Sequence, residues 1–200
     1  MLTDTELLTL LPLKQKNLLS LCIGRRLVEI DRFFGIDLPS FLEGGHFTEA
    51  EYFSYNSGAL QFHFEDNLTY GLDVYGEELS IVVLPMILES DGFTKLYQLS
   101  KLSLVPPLLK DCIGKICRDI RIWTLQENFE SEEAKQVAVS YLFDNGSELF
   151  YCIYLVDDFD SDYLLLRQDV PLDKIANCFS IAIGEYIDPR KSSNPAYSAA

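Results

Sequence analysis

Leu18-Leu19-Ser20-Leu21-Cys22-Ile23-Gly24-Arg25 and, 90 positions later, Leu108-Leu109-Lys110-Asp111-Cys112-Ile113-Gly114-Lys115 are the stretch whose reading decides the fold. Each segment is followed by an isoleucine and then an aromatic residue, Ile30 and Phe33 in the first, Ile120 and Trp123 in the second. A second correspondence extends the first. At an offset of 79, Phe62, Phe64, Tyr70, Leu72, Val74 and Tyr75 fall on Tyr141, Phe143, Leu149, Tyr151, Ile153 and Tyr154. Self-similarity in a fixed order points to a tandem unit, read before any local signal.

Working outward, Gly24 and Gly114 permit a turn from a short helical lead into a strand. Beyond the first strand, Leu60, Phe62 and Phe64 alternate with Gln61, His63 and Glu65, the period of a half-buried strand. Glu65-Asp66-Asn67 turns the chain back, and Leu79 to Leu84 forms an apolar run closed by Pro85. In the second unit, Asp144-Asn145-Gly146-Ser147 stands between two alternating runs, the Asn-Gly pair being a strong hairpin signal. The expected fold is α+β: two related modules, each a short helix and an antiparallel meander, packed about a pseudo-two-fold axis. Residues 1–90 form the first module, 91–187 the second, and 188–200 a tail. A helix is expected from Phe93 to Leu102, where Phe93, Leu96 and Tyr97 have helical spacing, and a helical turn at Leu172 to Asn177.

Sixteen Lys and Arg stand against 31 Asp and Glu, a formal charge of −15 shared between both halves. Such a field repels phosphate backbones and anionic lipid, and it speeds encounter with basic proteins. Direct nucleic-acid and membrane binding are therefore not expected, and a basic protein is the expected partner. Arg25, Arg26 and Arg32 read as a solvated strand edge. No basic leader precedes an apolar stretch, and no apolar run approaches the roughly 18 residues of a membrane span, so the cytoplasm is the expected location.

Chemistry-bearing patterns are sparse. The five cysteines, Cys22, Cys112, Cys117, Cys152 and Cys178, have apolar neighbours and no paired spacing, which reads as small buried hydrophobes without disulfides. Asp158-Phe159-Asp160-Ser161-Asp162 has the alternation of a calcium loop, but position six is Tyr163 rather than glycine. Two histidines without a cysteine cluster give no zinc site, and no phosphate loop or nucleophile elbow is present. Neither a metal, a cofactor nor catalysis is expected. The aromatics Tyr52, Phe53, Tyr55, Trp123, Phe129 and Phe159 read as caps on the sheet ends or as an exposed anchor ringed by acids.

The leading expectation is a non-catalytic, acidic protein-binding module of the inhibitor or immunity type. Its binding residues are Glu127, Glu130, Glu132, Glu133, Asp157, Asp158, Asp160 and Asp162, on solvated loops. The alternative is a small-ligand binder or enzyme with a cleft between the modules, where His63, Glu65, Asp73 and Tyr151 converge.

Overall fold

The computed structural model describes residues 4–34, 48–56, 58–75, 80–86, 94–125, 135–153, 162–170 and 175–180. The expected tail, 188–200, lies outside them. The fold is α+β, mostly antiparallel strands in two sheets with a few short helices. The helices are α1 (Asp4–Thr9), α2 (Lys16–Ser20), α3 (Glu49–Ser54) and α4 (Pro107–Lys110). The strands are β1 (Leu27–Phe34), β2 (Tyr55–Asn56), β3 (Leu60–Phe64), β4 (Leu68–Tyr75), β5 (Ser80–Leu84) and β6 (Thr94–Gln98). They continue with β7 (Cys117–Leu125), β8 (Gln136–Phe143), β9 (Glu148–Ile153), β10 (Asp162–Leu166) and β11 (Ile175–Ser180).

The first sheet has the order β5-β4-β3-β1-β6, and the second has β11-β7-β8-β9-β10-β2. Read from the β1 and β7 side, both run last strand, first strand, hairpin, outer strand. β6, which a division at residue 90 assigns to the second module, pairs with β1 in the first sheet. Two expected helical segments are strands. Thr94–Gln98 adds to β1 and only Leu99–Lys101 makes a 3-10 turn, while Ile175–Ser180 adds to β7. In both places the ladder of an open sheet edge outweighs the local spacing.

The sheets meet where β1 and β7 begin. Arg26 and Ile116 form an isolated antiparallel bridge, and the hydrogen bonds around it are reciprocal. Gly24 N–H donates to the Cys117 carbonyl at 2.8 Å and Gly114 N–H to that of Leu27 at 2.7 Å. Leu27 N–H donates to Lys115 O at 3.0 Å and Cys117 N–H to Arg25 O at 2.9 Å. The ladders from β1 to β3 and from β7 to β8 each shift register just after this bridge, at the exposed Val28 and Arg118.

One continuous hydrophobic cluster fills the space between the sheets. From the first come Leu27, Ile30, Leu60, Phe62, Tyr70 and Leu72, from the second Ile120, Ile122, Val139, Tyr141, Leu149 and Tyr151. The Phe62 and Tyr141 rings stack across it with centroids 4.8 Å apart. Tyr52, Phe53 and Trp123 are buried, so these three are core residues rather than an exposed anchor. Among the described residues no helix is long and apolar enough to cross a membrane.

Candidate functional site

Three segments distant in sequence build an apolar groove of about 350 Å³ between α3, the stretch from Leu104 to Leu109, and β10. α3 is fixed by a capping box. Thr48 N–H donates to Glu51 Oε2 at 2.6 Å, and Glu51 N–H donates back to Thr48 Oγ1 at 3.3 Å. Those bonds from the Thr48 backbone and hydroxyl hold the Glu51 carboxyl below its usual range, so it is charged at neutral pH. Pro107 opens α4 at a position where its missing N–H costs nothing, which sends Leu109 inward and leaves Leu108 outside. β10 contributes the buried Leu164 and Leu166, and the 3-10 turn after it contributes Asp169.

The result has an apolar floor of Leu109, Leu164 and Leu166. Its lip is made of Leu104 and Leu108, 64% and 53% exposed. The charged side chains on its wall are the carboxylates Glu51 and Asp169.

A second constellation lies between the sheets. Arg32 of β1 is fully buried, and its guanidinium pairs with Oδ1 of Asp162, the first residue of β10, itself 1% exposed. Asp162 Oδ2 also accepts from the Tyr151 hydroxyl at 3.1 Å and from Gly58 N–H at 3.2 Å. Burial pushes the Asp162 carboxyl up to about 7 despite the Arg32 charge. Asp73, half-buried on β4, is pushed up to about 6 by burial, with the Val74 N–H and Arg32 pulling the other way. Two expectations are corrected here: Arg32 is not at a solvated edge, and Asp162 is not in a solvated acidic loop. Both are buried because a guanidinium and a carboxylate can leave water only together.

Of the expected cleft residues, Asp73 and Tyr151 share this electrostatic neighbourhood and the other two lie elsewhere. His63 Nε2 meets Asp31 Oδ2 at 2.8 Å, and Lys95 Nζ reaches the same oxygen at 3.3 Å. Glu65 pairs with Arg26 at 3.3 Å at the edge of the joint. Glu127, Glu130, Glu132, Glu133, Asp157, Asp158 and Asp160 lie outside the described residues, as do Phe129 and Phe159. Among the described residues no group of three or more His, Cys, Asp or Glu could hold a metal ion. Cys22, Cys112, Cys117 and Cys152 are buried, as their apolar neighbours implied.

The sequence held unread signals for both constellations. Thr48-Glu49-Ala50-Glu51 has capping-box spacing, and Leu104 to Leu109 is apolar without alternation around Pro106-Pro107. Arg32 falls, at the offset of 90, on the core residue Ile122, and a charge at a core register calls for a buried partner. No family model matches the chain, and no curated protein and no solved structure is similar enough to count as a match.

Proposed function

We propose that this protein is a non-catalytic, acidic protein-binding module that seats an apolar anchor of a basic partner in the groove between α3, α4 and β10. The carrying observation is the pairing of exposed Leu104 and Leu108 with the carboxylates of Glu51 and Asp169 over a buried leucine floor. The formal charge of −15 works in the same direction, drawing a basic partner from a distance before the apolar contacts form. The acidic segments Glu127 to Glu133 and Asp157 to Asp160 extend that field, in the manner of an inhibitor or immunity protein. The two halves are read as related modules about a pseudo-two-fold axis. Their matched strand orders and the reciprocal bonds around Arg26 and Ile116 support that reading. A ligand site between the halves is less well supported, since Asp162 already spends its oxygens on Arg32, Tyr151 and Gly58.

A fluorescent amphipathic helical peptide of leucine and lysine, with a leucine and glutamate counterpart, tests this by anisotropy. The basic peptide should bind, more weakly as salt rises, and the acidic one should not. Replacing Leu104 and Leu108 together by the uncharged Ser should weaken binding at least about tenfold with the circular dichroism unchanged, since two apolar contacts of roughly 1 kcal/mol or more are lost. Equal binding of both peptides, or no effect of the double substitution, would sink the proposal.

A further inference from the structure

Cys22 and Cys117 lie 95 residues apart in sequence, yet their Sγ atoms are 3.5 Å apart and both residues are fully buried. Cys22 sits in the turn after α2, and Cys117 opens β7. The joint between the sheets fixes them relative to each other. Gly24 N–H, two residues after Cys22, donates to the Cys117 carbonyl, and Cys117 N–H donates to Arg25 O, while Arg25 N–H donates to Cys22 O at 3.0 Å. The Cys22 thiol donates to Cys117 Sγ, whose own thiol donates to Asp119 O at 3.5 Å. Cys112 and Cys152 make no thiol–thiol hydrogen bond among the described residues. Cys112 donates to Leu108 O, and burial pushes both of these thiols up to about 12.

We propose that Cys22 and Cys117 are a redox site, converted by a peroxide into an intramolecular disulfide that fastens the joint between the two halves. A disulfide requires the sulfurs to close from 3.5 Å to about 2.05 Å. Cys22 is the thiol assigned to the first oxidation, since its chain neighbours Leu21, 47% exposed, and Gly24 lie at the surface, whereas Cys117 is held within a ladder. Its sulfur takes one oxygen from the peroxide, giving a sulfenic acid and water. The sulfur of Cys117 then attacks that of Cys22. The S–O bond breaks, and the hydroxyl leaves as a second water with the Cys117 proton. Two thiols and one peroxide thus give one disulfide and two waters. The hydrogen bond from Cys22, together with burial, pushes the Cys117 thiol up, which keeps it protonated and makes its attack on the sulfenic acid the slow step.

The test is treatment of the native full-length protein with hydrogen peroxide at neutral pH, followed by alkylation, intact mass and an unreduced peptide map. The expected product has lost two hydrogens, carries a Cys22–Cys117 peptide and keeps its circular dichroism. It melts roughly 10 °C higher, since the link closes a long loop, and dithiothreitol reverses the change. Cys112→Ser should still form the link. Overturning results are oxygen added to Cys22 without a link, a link to another cysteine, or a link that forms only in urea. The absence of any link in the native protein would overturn it as well.

Discussion

Arg32 ties the first half of the chain to the second through a buried ion pair. Its guanidinium has no access to water, and its pairing with Asp162 crosses from β1 to β10. Arg32→Leu leaves the carboxylate uncompensated and should cost about 3 to 5 kcal/mol in urea unfolding, while Arg32→Leu with Asp162→Leu should recover most of that loss. A pair that contributed nothing would show equal stability in all three proteins. The same carboxyl makes stability depend on pH. Its folded pKa, about 7, lies above the usual 3.8, so the native state holds this proton more tightly than the unfolded chain does. Its contribution is fully present below about pH 4 and is lost as pH rises through about 7. Asp73, at about 6, acts in the same direction, and Asp31, lowered through His63 and Lys95 despite its burial, acts in the opposite one. The advantage of the natural protein over Asp162→Asn should therefore shrink between pH 4.5 and 7.5, by on the order of 2 to 4 kcal/mol at about 1.4 kcal/mol per pKa unit. A constant difference across that window would mean that Asp162 ionises normally.

The turns into β1 and β7 carry the joint, and each rests on one glycine. Gly24 has φ +85° and Gly114 φ +78°, and a Cβ at either would meet nothing within 4 Å. The cost of Gly24→Ala or Gly114→Ala is thus purely conformational, about 1 to 2 kcal/mol at each site, with Asn costing less because it tolerates the left-handed region. Chemical denaturation of the four single variants checks this, and a negligible Ala cost at either site would show that its turn is not held left-handed. These glycines were legible because a conformational need written into one residue type survives any tertiary context. The hairpins were legible for the same reason. Asp66 and Asn67 take φ 62° and 58° between β3 and β4, and Gly146 takes φ +85° between β8 and β9. β6 was not legible, since Phe93, Leu96 and Tyr97 have helical spacing and only the free edge of β1 makes their segment a strand, while β11 was legible only at its end, a strand being expected from Phe179 to Ile183 after the helical turn. The groove was illegible in a further sense: Glu51, Leu104 and Leu164 come from three segments that meet only after folding.

At the scale of the molecule, composition gives the net charge directly, but the count of cores was not available there. Two expected modules share one continuous cluster, and the contacts that cross between the halves include the Arg26–Ile116 bridge, the Phe62–Tyr141 stack, the Arg32–Asp162 pair and, last, the β2–β10 ladder. The last of these places Tyr55 and Asn56 of the first half on the outer edge of the second sheet, where an unpaired strand would invite association. A half of roughly 100 residues that buried its apolar face only against the other half would expose that face when alone, and small domains have little stability in reserve. Fragments 1–103 and 104–200, cut at the exposed Ser103–Leu104 bond, should each lack the dispersed amide proton signals of a folded protein. Mixed in equal amounts they should recover the circular dichroism of the whole chain, because the joint is built from backbone hydrogen bonds that need no covalent continuity between residues 103 and 104. If either fragment folded by itself to a cooperative, monomeric state, the two sheets would be independent domains, and the shared core would be a docking surface rather than the source of the fold.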